Sequence, residues 1–266
     1  MGLLRFAMAG LGLAIIATAP SQAMDRVGFA SRDGTMLSGL LAKPDGPGPF
    51  PAVVAMHGCS GLWTGSGRLN PREADWTQRL VAAGYAVLLP DSFRPRGLTA
   101  LCNDRERSLT PRMRAQDALG AADFLAAQPF GARGRTSLLG WSNGGSTVLH
   151  VAGSAAAPAF RRIIAFYPGC RVILKAGWRA QVPTTILHGL ADDWTPAAPC
   201  AELAAAGGAR FIGYPGAFHN FDHPNLPLRE RKAAYSQRPD GLVTIGTDAG
   251  ARQQAMEETL AILSRP

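Results

Sequence analysis

A chain of 266 residues with 47% hydrophobic and 17% charged residues has apolar mass for one sizeable α/β domain and too little charge for a disordered one. Its formal charge of +8 comes from arginines scattered along the sequence. There is no basic run and no basic stripe interleaved with aromatics, so nucleic acid is not an expected partner and a solvated basic surface is.

The chain begins with a lone positive charge, Arg5, then an apolar stretch over 6–18, then small residues Ser21 and Ala23 at the two positions a signal peptidase reads. This layout predicts a cleaved secretory signal over 1–23 and one mature domain over 24–266. The stretch falls short of the ~20 residues that span a bilayer. No later segment is long and apolar enough, so the mature chain is expected to carry no membrane span and to be periplasmic or secreted.

Residues 27–31 and 35–43 flank Arg32-Asp33-Gly34, the pattern of an antiparallel hairpin. A Pro/Gly-rich loop covers 44–51. Ala52-Val53-Val54-Ala55-Met56 is a continuous apolar run, the mark of a strand buried on both faces. Residues 71–83 read as a helix closed by Gly84, 85–89 as a buried strand, 111–128 as a helix, 136–141 as a strand and 143–151 as a helix. Strands follow at 162–167 and 183–187. A helix at 196–206 has Thr195 as its expected N-cap and Pro196 in its first turn. A strand at 209–214 and an amphipathic helix at 249–263, capped by Asp248, close the chain. Strands alternating with helices predict an α/β fold: a mostly parallel sheet with helices on both faces, preceded by the hairpin, and functional loops beyond the carboxyl ends of the strands.

The four cysteines, Cys59, Cys102, Cys170 and Cys200, contain no close C-x-x-C pair, so no zinc site or redox motif is expected. In an oxidising compartment an even number suggests disulfides. Cys59–Cys102 and Cys170–Cys200 would each tie loops together on one rim of the sheet.

Gly140-Trp141-Ser142-Asn143-Gly144 fits G-x-S-x-G between an apolar strand and a helical segment. That is the context of a nucleophile elbow, where a turn too tight for bulky neighbours thrusts the serine hydroxyl above the sheet. A serine hydroxyl needs a base. His219 directly follows the strand at 209–214 and is the expected one; His223 is the runner-up, while His150 and His188 read as structural. The acid that orients the base belongs in the loop after 183–187, where Asp192 and Asp193 compete. The chain order Ser, Asp, His is that of the α/β-hydrolases. The oxyanion donors are expected to be the N–H of Asn143 and the N–H of Cys59, in His57-Gly58-Cys59-Ser60-Gly61 after the first buried strand.

These pieces resemble the dienelactone hydrolase family over nearly the whole mature chain. The resemblance rests on Pro51-Ala52-Val53-Val54 leading into His57-Gly58-Cys59-Ser60-Gly61, on Gly84-Tyr85-Ala86-Val87-Leu88-Leu89-Pro90-Asp91, on the elbow, on His188-Gly189-Leu190-Ala191-Asp192, and on Tyr214-Pro215-Gly216-Ala217-Phe218-His219-Asn220-Phe221. It implies an α/β-hydrolase fold and, in the acid loop, Asp192 as the third residue after the glycine. Founding members of the family carry cysteine in the elbow and a glutamate in the turn after the first buried strand. This chain has Ser142 and His57-Gly58 there, the features of an ordinary serine esterase.

The expected function is hydrolysis of small carboxylic esters or lactones through Ser142, His219 and Asp192, with neither cofactor nor metal. The alternatives are a peptidase or acyltransferase on the same scaffold, or a silent periplasmic binding protein. Leu62, Trp63, Phe93, Trp141 and Trp194 are the expected pocket aromatics and aliphatics, and Arg94 and Arg96 an expected clamp for a substrate carboxylate.

Overall fold

The computed structural model describes residues 23–106 and 108–265; the expected signal sequence lies outside them but for Ala23. Eight strands form one sheet in the order β1-β2-β4-β3-β5-β6-β7-β8. They are β1 (Asp25–Ala30), β2 (Met36–Ala42), β3 (Phe50–Met56), β4 (Ala86–Asp91), β5 (Gly131–Trp141), β6 (Ile163–Phe166), β7 (Thr184–Gly189) and β8 (Arg210–Tyr214). β1 and β2 form the antiparallel hairpin, β2 runs antiparallel to β4, and all pairs from β4 to β8 are parallel. The hairpin turn needs Gly34 at φ +90° and is held by the Asp33 carboxylate accepting from Thr35 N–H at 2.9 Å.

Strand alternation builds a core on each face. Val54, Met56, Leu88 and Leu138 point to one side, under helices α2 (Pro111–Ala126), α3 (Asn143–Ala152) and α5 (Ala197–Gly207). Val53, Ala55, Val87, Leu89 and Leu139 point to the other, under α1 (Pro71–Ala82) and α6 (Ala249–Ser264). Helix starts follow local chemistry. Pro111 opens α2 with Thr110 Oγ1 accepting from Met113 N–H at 3.2 Å, and Asp248 caps α6 by accepting from Ala251 N–H at 2.8 Å. Gly84, at φ +91°, ends α1 as expected. Gly120 sits mid-helix in α2 because a Cβ there would lie 2.2 Å from the Ala30 carbonyl.

Thr195 is a correction. The residue preceding α5 is Pro196, with no side-chain cap, and Thr195 turns instead toward Asp192. Three elements were not anticipated. They are the short helix α4 (Arg171–Lys175) and a two-stranded antiparallel ribbon of β9 (Arg229–Lys232) and β10 (Leu242–Ile245). Val243 and Ile245 of the ribbon pack with Ala233 and Trp194. Disulfides join Cys59 to Cys102 and Cys170 to Cys200. The first ties two loops; the second ties the start of α4 to the interior of α5 rather than to a loop. Among the described residues, no helix is long and apolar enough to cross a membrane.

Candidate active site

The elbow is built by close approach. A Cβ on Gly140 would lie 2.3 Å from the Gly144 carbonyl, and one on Gly144 would lie 2.0 Å from the Met56 carbonyl. Only glycine lets β5 turn into α3 this sharply. Between them Ser142 is held at φ 55°, a conformation that costs a non-glycine residue about 1–3 kcal/mol. Its N–H donates to Phe166 O at 2.9 Å and its carbonyl accepts from Ser146 N–H at 2.8 Å, so the sheet and the helix hold the strained turn.

Two loops meet the hydroxyl. Leu190 N–H donates to Tyr214 O at 2.9 Å and Ala191 N–H to Ala217 O at 3.0 Å, stitching the loop after β7 to the loop after β8. This juxtaposes Asp192 and His219. His219 Nε2 lies 2.9 Å from Ser142 Oγ, and His219 Nδ1 lies 2.7 Å from Asp192 Oδ2. A carboxylate only accepts, so Nδ1 carries the proton and Nε2 offers its lone pair to the hydroxyl. Asp192 also accepts from the N–H groups of Trp194 and Thr195, each at 2.9 Å, and from Thr195 Oγ1 at 2.9 Å. Burial works to raise the Asp192 pKa. The His219 charge and hydrogen bond outweigh burial and bring it below the ordinary carboxylate value. The imidazole lies between Tyr167 and Trp194, with ring centroids 4.5 and 4.7 Å away.

Asp193 points elsewhere. It accepts from Thr244 N–H at 2.7 Å and Thr244 Oγ1 at 2.8 Å, anchoring β10. The ribbon in turn fixes the histidine loop, because Gly246 N–H donates to His219 O at 3.1 Å. His223 accepts from Asn225 N–H at 3.1 Å, and His188 is buried with Nδ1 3.0 Å from Gly189 O. His150, on α3, lines the cleft two turns from Ser142.

The turn after β3 lies against the elbow: a Cβ on Gly58 would sit 3.7 Å from Ser142 Cβ. His57 Nδ1 donates to Gly58 O at 2.8 Å, and Gly61 N–H donates to the same carbonyl at 3.2 Å. Across that planar trans peptide the N–H of Cys59 points the opposite way, and no acceptor pairs with it among the described residues. His57 Nε2 accepts from Ser92 N–H at 3.3 Å. Both bonds require the neutral ring, and burial followed by the Arg114 charge pushes the His57 pKa well below its ordinary value.

Arg114, fully buried on α2, was not anticipated. Its guanidinium donates to His57 O at 2.9 Å and to Asn143 Oδ1 at 2.6 Å. It thus joins the turn that carries Cys59 to the residue that follows Ser142. Burial lowers its pKa to about 10. Arg72, also unanticipated, lies on the other side of Gly58. It donates to Glu73 at 2.6 Å and to the Tyr167 hydroxyl at 3.1 Å, and Tyr167 donates to Asp222 at 2.5 Å. In sequence both look like ordinary surface arginines. A faint signal exists for Arg114, since apolar Ala115, Ala118, Leu119 and Ala122 share its stripe of α2.

A cleft of about 1170 Å³ opens over Ser142, with Cys59 and Asn143 beside it. Of the expected pocket residues Trp194 lines it, its Nε1 donating to Ala234 O at 3.0 Å. The others are corrections. Leu62, Phe93 and Trp141 are no more than 1% exposed and belong to the interior. Trp141 shares the strand face of Leu139 and packs on Trp76 and Phe166. Trp63 donates to Asp91 and is flanked by the guanidiniums of Arg26 and Arg94, which occupies Arg94. Arg96 is bound to Asp117 and Asp33. Neither arginine lines the cleft.

No curated protein sequence matches the chain. A provisionally named dienelactone hydrolase from Klebsiella pneumoniae subsp. pneumoniae MGH 78578 superposes with TM-score 0.68 at 17% identity, covering 92% of this chain and 100% of its own. The promiscuous phosphotriesterase P91 from metagenomic libraries, described as dienelactone hydrolase-like, gives 0.65 at 24% identity, with 92% and 98% covered. A puromycin-hydrolyzing peptidase from Mycobacterium tuberculosis gives 0.65 at 16% identity, with 94% of this chain and 40% of the peptidase covered. These superpositions establish the α/β-hydrolase fold and, at such low identities, the fold alone. The sequence profile of the dienelactone hydrolase family matches residues 37–265. That span runs from β2 to the closing helix and takes in the elbow and both loops that meet it, and the chain belongs to the dienelactone hydrolase family.

Proposed function

We propose that this protein is an exported serine hydrolase of small carboxylic esters or lactones, with Ser142 as nucleophile, His219 as base and Asp192 as the orienting acid. The observation that carries the reading is the unbroken hydrogen-bond line from Ser142 Oγ through His219 to Asp192, at 2.9 and 2.7 Å, in a member of a hydrolase family. As Oγ attacks the ester carbonyl, Nε2 takes its proton, and Asp192 stabilises the imidazolium. The N–H groups of Cys59 and Asn143 receive the developing oxyanion. The imidazolium returns its proton to the leaving alcohol, and water then cleaves the acyl-enzyme by the same route. Protein groups and water suffice for this cycle.

Export is supported by the layout of residues 1–23 and is compatible with the two disulfides. The matched structures bear the names of an esterase, a phosphotriesterase and peptidases, so the fold alone does not choose among substrates. The peptidase is more than twice as long as the part this chain matches.

The test is hydrolysis of p-nitrophenyl acetate by the wild type and by Ser142→Ala. The expected loss is at least about a thousandfold, with fluorophosphonate labelling of the wild type alone. A Ser142→Ala protein as active as the wild type would overturn the reading.

A further inference from the structure

The cleft does not stop at Ser142. Its floor is one stripe of α3: Ser142, Ser146, His150 and Gly153 all line it, at the spacing that stacks residues along one helix face. From Ser142 to His150 the helix rises about 12 Å, and to Gly153 about 16 Å.

Three guanidiniums mark successive turns along that path. One turn beyond Ser142, Gly169 N–H donates to Ser146 Oγ at 2.8 Å, which brings the start of α4 and Arg171 to the cleft wall. Two turns along, Arg112 at the start of α2 lines the cleft together with His150, whose pKa is lowered by burial and then by the Arg112 charge. Three turns along, Trp178 Nε1 donates to Leu149 O at 2.7 Å and Gln181 N–H to Ala152 O at 2.9 Å. These bonds bring Arg179 to the far end, where it too lines the cleft.

None of the three makes an ion pair among the described residues, whereas Arg32, Arg79, Arg96, Arg210 and Arg238 all do. Asp104 is the carboxylate on the cleft wall, and it accepts from the N–H groups of Glu106 and Ser108 at 2.8 and 3.0 Å. Leu101, Leu109, Val172 and Ile173 add apolar wall to the same cleft.

We infer that the substrate is elongated and amphiphilic: an ester whose apolar arm follows α3 for two to three turns and ends in a carboxylate held by Arg112 and Arg179, with Arg171 along the way. Guanidinium suits a carboxylate by its paired donors, and an apolar arm suits the apolar wall. This rests on Ser142 being the point of attack, and it deepens that reading by naming the substrate class.

The experiment uses the p-nitrophenyl hemi-ester of sebacic acid and the same compound with its free carboxyl capped as a methyl ester. Calorimetric titration of Ser142→Ala measures binding of each intact ester, and the wild type reports kcat/KM for each. The acid is expected to bind about tenfold more tightly than its capped twin at low salt, and the ratio to shrink as ionic strength rises. In Ser142→Ala carrying Arg112→Gln and Arg179→Gln the ratio is expected to fall toward one. Equal binding of the two esters, or a ratio unmoved by the double substitution, overturns the inference. If the wild type hydrolyses neither ester while Ser142→Ala still prefers the acid, the hydrolase reading fails and the anion site stands. Turnover of both esters at equal kcat/KM and equal affinity does the reverse.

Discussion

Two buried guanidiniums flank the His57–Gly58 turn, and they are satisfied in opposite ways. Arg72 meets a carboxylate, Glu73, at 2.6 Å, and its other amine reaches Tyr167 and Asn220, each at 3.1 Å. Burial works to lower its pKa, but Glu73, Tyr167 and Asp222 outweigh burial and raise it. Arg114 meets neutral oxygens, the His57 carbonyl and the Asn143 amide, and its pKa falls to about 10. One cation is neutralised inside a structural network beneath His219. The other has no carboxylate in contact, feeling Asp117 and Asp91 only at longer range, and lies beneath the two N–H groups proposed to receive an oxyanion. A buried charge with no carboxylate in contact is costly, and its retention at this spot is physically sensible if negative charge develops there during reaction.

Removing each arginine breaks the comparison in a different direction. Arg72→Met strips Glu73 of its partner while Glu73 stays buried, and loss of one member of a buried pair costs about 3–5 kcal/mol. Urea unfolding should show this loss. A variant as stable as the wild type would mean the network does not hold the fold. Arg114→Met, in contrast, removes a buried charge that has no carboxylate in contact, which offsets part of the cost of leaving two acceptors unpaired. Its stability loss should be smaller than that of Arg72→Met. Its effect should fall on kcat, by about tenfold to a hundredfold, because loosened donors meet the transition state poorly while the ground-state ester is bound as before. A boronic acid, which forms a tetrahedral adduct, should lose affinity in step with kcat. Arg114→Lys should recover part of the rate, since an ammonium reaches one of the two acceptors but lacks the fork to hold both. A change confined to KM, or a stability loss as large as that of Arg72→Met, would make Arg114 a packing residue.

The same contrast shows what could be read from the sequence. The elbow, the strands from β3 to β8 and the loop histidine were legible because each leaves a local trace: a glycine frame, an apolar run, a position just after a strand. The choice between Asp192 and Asp193 needed a family pattern, since both lie in the same turn and differ only in what lies opposite, His219 for one and Thr244 for the other. The ribbon left half a trace. Arg229-Glu230-Arg231-Lys232 has no apolar alternation, although Pro239-Asp240-Gly241 marks a turn just before its partner strand. Arg72 and Arg114 were illegible because an arginine reads as surface until its partners are known. Trp141 was misread although the signal existed. It shares period two with Leu139, which sends it to the interior while the backbone of the next residue turns into the site.

His57 lies between the two cations and offers the finest test of the difference. Its ring donates to Gly58 O and accepts from Ser92 N–H, a pattern open only to the neutral form. Burial, Arg114 and Arg72 all push its pKa down, while the Gly58 bond works to raise it. Above pH of about 6.5 His57 is neutral whether the chain is folded or not and contributes no pH dependence. Below that, the unfolded chain binds a proton that the folded chain refuses, so stability falls with falling pH, by up to about 1.4 kcal/mol per pH unit. The fall ends only at the depressed folded pKa. Removing the Arg114 charge raises that folded pKa, so in Arg114→Met the fall should level off at a higher pH. The stability gap between wild type and variant should therefore narrow as pH drops from 6.5 toward 5. His150, His188 and His223, whose pKa values burial also lowers, contribute to both proteins and cancel in the difference. Denaturant unfolding of the two proteins across pH 7.5 to 5 measures the gap directly. Parallel curves would mean that the charge of Arg114 is not felt at His57, and the contrast between the two guanidiniums would then reduce to hydrogen bonding alone.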